Sequence, residues 1–126
     1  MLPKRKVGRK RVRMPVARCY SLTAFTKNWR EVRHFYTHLL GAVIISERAD
    51  RYCELKLGGM PLCFRAAENG EGVSYFHLYL ALPERQLILE GLQKAGVIVR
   101  LDGTYASFLD PEGRTIKLSK DCALLK

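Results

Sequence analysis

The sequence has no apolar run approaching the about 20 residues that a membrane-spanning helix needs, and no signal-peptide core. A membrane partner is therefore not expected. None of its 4 cysteines (Cys19, Cys53, Cys63 and Cys122) is spaced as C-x-x-C, which excludes a zinc ribbon or a vicinal redox pair. Free thiols in a reducing, cytoplasmic compartment are the expectation. The first 18 residues contain no Asp, Glu or aromatic residue and no sustained apolar period, so they cannot build a core of their own. What the chain does have is 126 residues with 48% hydrophobic and 27% charged side chains, enough for one packed domain. A mostly disordered chain is excluded.

The formal charge of +10 is unevenly placed. Lys4, Arg5, Lys6, Arg9, Lys10, Arg11, Arg13 and Arg18 supply 8 positive charges within residues 1–18. The rest of the chain holds 14 basic against 12 acidic groups and is close to neutral. Residues 1–18 thus read as a flexible basic tail, extended when free, and 19–126 as a single domain. Residues 4–18 fit an RNA or other polyanion arm, whose affinity comes from counterion release and falls with salt. Pro3-Lys4-Arg5-Lys6-Val7 also fits a basic nuclear-import signal. An organelle-targeting peptide fits less well, because the tail is neither Ser-rich nor amphipathic. A solvated tail without a role, or residues ahead of a start at Met14, stays open as well.

The domain reads as one supersecondary unit given twice. Residues 19–26 have strand character, and Asn28 is placed to cap a helix from Trp29 to Leu40. Val32, Phe35, Tyr36, Leu39 and Leu40 follow the i, i+3, i+4, i+7, i+8 spacing of a buried stripe. Gly41 ends that helix in the left-handed region. Short strands follow at 42–46, 52–57 and 61–66, with Gly58-Gly59 as a turn. The second half repeats the order: a strand over 74–82, a helix opened by Pro83 and ended by Gly96, and strands at 97–101, 105–109 and 115–119. Leu87, Ile88, Gly91, Leu92 and Ala95 form its expected packed side. Asp110-Pro111-Glu112-Gly113 carries the preferences of a type I turn, with Asp at i, Pro at i+1 and Gly at i+3.

Phe35-Tyr36, Leu40-Gly41 and the run Phe108-Leu109-Asp110-Pro111-Glu112-Gly113-Arg114-Thr115-Ile116 give this chain a resemblance to the vicinal-oxygen-chelate superfamily. That superfamily includes glyoxalase I, bleomycin-resistance proteins, fosfomycin-resistance enzymes and extradiol dioxygenases. The resemblance covers about residues 19–119. It implies an α+β fold of two βαβββ modules, about 19–66 and 73–119, whose curved mixed sheets form a cup, often completed by a homodimer. Metal-binding members hold a divalent ion with His, Gln or Glu at four strand positions. By that resemblance the positions fall at Ser21, near Cys63, at His77 and at Lys117. Only His77 is a conventional ligand there, and a charged Lys ammonium has no lone pair to offer a cation. No metal or other cofactor is therefore expected.

Strand alternation defines the inner face without the resemblance. Ser21, Thr23 and Phe25 share one side of the first strand; Cys63 and Arg65 share one side of the fourth. Tyr75, His77, Tyr79 and Ala81 share a side opposite Phe76, Leu78, Leu80 and Leu82. Thr115, Lys117 and Ser119 lie opposite Ile116 and Leu118. Rings, hydroxyls and cations suit an aromatic or anionic small molecule rather than a polycationic drug. The candidate ligand-binding residues are His77, Lys117, Ser21, Cys63, Arg65, Tyr75 and Tyr79. The same pattern also suits any half-solvated antiparallel sheet, and His77 suits a structural histidine. His34 and His38, four apart on the first helix, lie opposite the apolar stripe, where a solvated face is expected. The leading expectation is a metal-independent binding protein that sequesters or carries its ligand. The alternatives are a divalent-metal-dependent lyase, isomerase or dioxygenase, and a non-catalytic domain recruited by its tail to RNA or to a ribonucleoprotein such as a ribosome.

Overall fold

The computed structural model describes residues 14–18, 20–81 and 84–119. The expectations placed on residues 1–13, Cys19, Leu82, Pro83 and Cys122 lie outside these residues. The first module runs β1 (Leu22–Thr26), α1 (Trp29–His34) continuing as a π-helical segment (Phe35–Leu39), then β2 (Val43–Arg48), β3 (Tyr52–Leu57) and β4 (Met60–Ala66). The second runs β5 (His77–Leu80), α2 (Arg85–Lys94), β6 (Arg100–Asp102), β7 (Tyr105–Leu109) and β8 (Thr115–Ser119). Each module makes a four-stranded mixed sheet, ordered β1-β4-β3-β2 and β5-β8-β7-β6. In both, the first strand pairs parallel with the last, because the crossover helix returns the chain to the same direction.

The apolar stripe of α1 is where the two modules meet. Val32, Phe35, Tyr36 and Leu40 are buried. The Tyr36 ring lies 4.7 Å from that of Phe64 of β4, tilted by 47°, while Phe35 lies 6.2 Å from Phe108 of β7. The helix-facing residues of both sheets therefore join one core, from Ala24, Leu55, Leu62 and Phe64 to Leu78, Phe108, Ile116 and Leu118. Each such side chain contributes about 1.5–3 kcal/mol by leaving water. Trp29 belongs to this core, at 8% exposure, and its indole N–H has no hydrogen-bond partner among the described residues. Gly58 and Gly59 both take positive φ (56° and 88°), as a tight turn between β3 and β4 requires.

Several expectations change. Asn28 makes no side-chain cap; instead its N–H and that of Lys27 donate to the Glu112 carboxylate, at 3.0 and 2.8 Å. The helix N-terminus thus takes its anion from the other module. The helix turns π-helical from Phe35, and Ala42 N–H bonds the Tyr36 carbonyl at 2.9 Å as the chain leaves it. Residues 20–21 and 74–76 stay out of the ladders, so β1 and β5 are shorter than the alternation indicates. Ser74 and Phe25 instead bond each other, N–H to carbonyl at 3.0 Å and Oγ to N–H at 2.9 Å. In α2, Leu92 is buried and Ile88 packs on the core as expected, but Leu87 is 63% exposed and Leu89, outside the expected side, is buried in its place. β6 begins only at Arg100, so 97–99 run free of β7.

The Asp110–Gly113 turn forms as read, with Gly113 N–H bonding the Asp110 carbonyl at 3.0 Å. It leads into Arg114, which is fully buried and bridges the modules. The guanidinium donates to Asp110 Oδ2 (3.0 Å), to the Ser74 carbonyl (2.7 Å) and to the Phe25 carbonyl (2.8 Å), and pairs with Glu112 at 2.9 Å. It also lies against the Phe64 and Phe76 rings. Asp110 accepts from the Tyr36 hydroxyl at 2.8 Å and from the N–H groups of Glu112 and Arg114. Burial, with the Asp110 charge next, pushes the Tyr36 hydroxyl far above its ordinary pKa.

Candidate functional site

The faces turned away from the helices are built by strand register. In the second sheet His77 lies opposite Thr115, Tyr79 opposite Lys117, and Lys117 opposite Ser107 on its other side. Tyr79 and Tyr105 meet edge-on at 5.4 Å, and the Lys117 ammonium sits 5.4 and 5.9 Å from their ring centres. A cation at those distances is attracted by both ring faces. Among the described residues, no carboxylate pairs with Lys117. His77 and Tyr79 are exposed, and Lys117, Tyr105 and Ser107 half-buried. Tyr75, ahead of β5, is 67% exposed beside the Gly113 turn.

Where 97–99 run free of β7, an apolar cavity of about 640 Å³ opens. Phe35, Val97, Phe108 and Pro111 line it, and Arg100, Ser107 and Thr115 give it a polar side. Ser107 and Thr115 are also the cross-strand neighbours of Lys117 and His77. The expected site did not include Tyr105, Ser107 or Arg100. The alternation Tyr105, Ser107, Leu109 was the signal that could have found the first two.

The inner face of the first sheet is chemically different. Thr23 lies opposite Cys63, and Phe25 opposite Arg65. The Arg65 guanidinium lies 4.4 Å from the Phe25 ring centre, bonds Glu71 at 2.8 and 3.0 Å and lies 3.6 Å from Glu68. Its charge is already met within the module. Burial, with the Glu54 charge next, raises the Cys63 thiol above its ordinary pKa, so at neutral pH it stays protonated and is a poor nucleophile or ligand. Ser21 is half-buried just ahead of β1. Ser21 and Cys63 thus belong to one sheet, His77 and Lys117 to the other.

The donor set at these four positions does not match a divalent metal. It offers one imidazole, one protonated thiol, one hydroxyl and one ammonium. Among the described residues, no group of three or more His, Cys, Asp or Glu could hold an ion. No helix among them is long and apolar enough to cross a membrane.

No protein-family profile and no curated protein matches the chain by sequence. Solved structures do match its fold. A fosfomycin resistance protein from Listeria monocytogenes, complexed with Mn(II) and sulfate, is similar with a TM-score of 0.66 at 15% identity, over 85% of this chain and 94% of that one. A lactoylglutathione lyase from Agrobacterium tumefaciens gives 0.63 at 13% identity over 84% and 95%, and a possible glyoxalase from Bacillus cereus gives 0.65 at 17% over 82% and 99%. The chain therefore has the fold of the vicinal-oxygen-chelate superfamily, two βαβββ modules in the glyoxalase and fosfomycin-resistance arrangement.

Proposed function

We propose that the protein binds a small aromatic anion without a metal, on the inner face of the second sheet, and sequesters or carries it. One observation carries the reading: an ammonium without a carboxylate partner among the described residues, Lys117, stands beside the rings of Tyr79 and Tyr105, at a position that the resemblance makes equivalent to an ion ligand of metal-binding members. The positive charge that those members import as a metal is supplied here by the chain itself. An anionic group meets Lys117, an aromatic body stacks on Tyr79 or enters the apolar cavity beside Ser107, and the hydroxyls of Ser107 and Thr115 orient it. His77 and Tyr75 border the same face, whereas Cys63, Ser21 and Arg65 belong to the opposite wall. No activated nucleophile is present among them, which favours binding over turnover.

The proposal includes a homodimer. β1 and β5 are edge strands of their sheets, and Leu22 on β1, Tyr79 on β5 and Tyr75 just ahead of β5 are more than 40% exposed. A second copy laid along these edges would turn two open faces into closed cups. The RNA-arm reading of the basic tail is separate: deletion of residues 1–13 should abolish any salt-sensitive RNA affinity, and equal binding by both forms would remove that reading.

The test is a calorimetric titration of the full chain with benzoate and with phenylphosphonate. Lys117→Met should weaken binding about tenfold to hundredfold, the worth of a hydrogen bond to a charged group. Equal affinity of the variant and the wild type would remove Lys117 from the site.

A further inference from the structure

We propose that His34 and His38 form a second, independent site on the outer face of the first helix, for a borderline divalent ion such as Ni(II) or Zn(II). The two imidazoles are exposed and stacked, with ring centres 4.2 Å apart and planes at 21°. Histidines at i and i+4 on one helix face are a recurrent bidentate arrangement, because the helix brings both nitrogens to the same side. Two nitrogens 2.0–2.1 Å from one tetrahedral ion lie about 3.3 Å apart. Both lone pairs lie in the ring planes, so the two rings must turn out of their stack to converge on one ion, a rotation that their exposure allows. The pair also straddles the change from α to π geometry at Phe35, and such π turns recur at functional sites.

The hydrogen bonds around Thr37 suit the His38 tautomer with its proton on Nδ1. The Thr37 hydroxyl donates its proton to the Arg33 carbonyl at 2.8 Å. Its oxygen lies 3.0 Å from His38 Nδ1, so with the hydroxyl proton committed elsewhere it accepts from an Nδ1–H. The lone pair of His38 then resides on Nε2. This is the outer arrangement that metal-bound histidines use, one ring nitrogen donating to an oxygen while the other ligates.

The surroundings tolerate a cation although arginines flank it. Arg30 is paired bidentately with Asp50 and Arg33 with Glu47, so neither guanidinium stands uncompensated. His38 lies in the last turn, where the helix carbonyls favour positive charge. Among the described residues no third His, Cys, Asp or Glu completes a cluster, which leaves the remaining coordination positions to water. Imidazole donors suit Ni, Cu and Zn and not Mg or Ca, which sets the class of ion.

The experiment is a titration of the full chain with Ni(II), read by calorimetry and by broadening of the histidine ring proton signals. One ion per chain is expected, with the His34 and His38 signals broadened first. His34→Ala and His38→Ala should each lower the affinity at least tenfold. Thr37→Val should lower it by about tenfold or more, Thr37→Ser should restore it, and His77→Ala should leave it unchanged. These residues are exposed or half-buried, so circular dichroism of the variants should match the wild type. Absence of Ni(II) uptake by the wild type, wild-type affinity in both alanine variants, or first broadening of His77 would overturn the proposal.

Discussion

The two halves of the molecule share one plan and spend their hairpins differently. Between β3 and β4 the chain turns through Gly58-Gly59 and makes no hydrogen bond or ion pair with the other module among the described residues. Between β7 and β8 the equivalent turn is Asp-Pro-Glu-Gly followed by Arg114, and it reaches into the first module at Thr26, Lys27, Asn28, Phe25 and Tyr36. A matching asymmetry marks the inner faces. The cation on β4, Arg65, is satisfied by Glu71, Glu68 and the Phe25 ring, while the cation on β8, Lys117, has two tyrosine rings for company. The second hairpin thus carries the structural bridge, through Arg114, and the proposed ligand-binding cation, Lys117, on opposite faces.

The largest effect should come from breaking the bridge. Arg114→Met leaves Asp110 buried without its counter-charge, and removal of one partner of such a pair costs about 3–5 kcal/mol. Urea unfolding of the variant should show that loss as a lower midpoint with an unchanged slope; Gly58→Ala in the first hairpin, strained at its positive φ, should cost about 1 kcal/mol or more.

A pH series tests the same bridge more gently. Burial opposes ionisation of Glu112, but bonds from Thr26, the Lys27 N–H and Arg114 outweigh it and hold the carboxyl below the usual glutamate range. A carboxylate depressed in the folded state contributes stability above its unfolded pKa of about 4.3, and loses it as pH falls through the folded value. The wild type should therefore weaken progressively below about pH 4.5. In Glu112→Gln the neutral-pH stability should be lower and the acid limb flatter. Identical acid limbs would mean that Glu112 does not anchor the helix.

The smallest change sharpens the contrast between the inner faces. Glu71→Gln strips Arg65 of its closest carboxylate, a partly exposed pair worth up to about 1 kcal/mol. Benzoate affinity for the first sheet should rise about two- to fivefold, seen as new shifts at Phe25 and Thr23 in NMR spectra. No new shifts would mean that ring contact with Phe25, rather than charge pairing, already occupies Arg65.

Much of this architecture was legible from local signals. Gly41, Gly96 and the Asp110–Gly113 turn punctuate the chain where their φ values and bonds place them, and the Val32–Phe35–Tyr36–Leu40 stripe is the core stripe. The alternation of β5 and β8 put His77, Tyr79 and Lys117 on one face. What stayed illegible is tertiary. Nothing local says that Glu112 would replace Asn28 as the helix anion, since those groups lie 84 residues apart. Nor does composition reveal that Arg114, one of 22 basic residues, is fully buried while Arg65 is satisfied in place. Leu87 and Leu89 compete as apolar positions in α2, and only docking of the helix selects Leu89. The apolar cavity beside 97–99 is lined in part by Phe35 of the other module, which no local signal names.

The most direct test of metal-independent binding compares one affinity under three conditions. Benzoate is titrated into the full chain as purified, after exhaustive dialysis against a chelator, and after addition of Mn(II), with His77→Ala alongside. Affinity that is the same in all three, and lost in Lys117→Met but kept within a few-fold in His77→Ala, is the predicted result. Binding abolished by the chelator, restored by Mn(II) and absent in His77→Ala would contradict it.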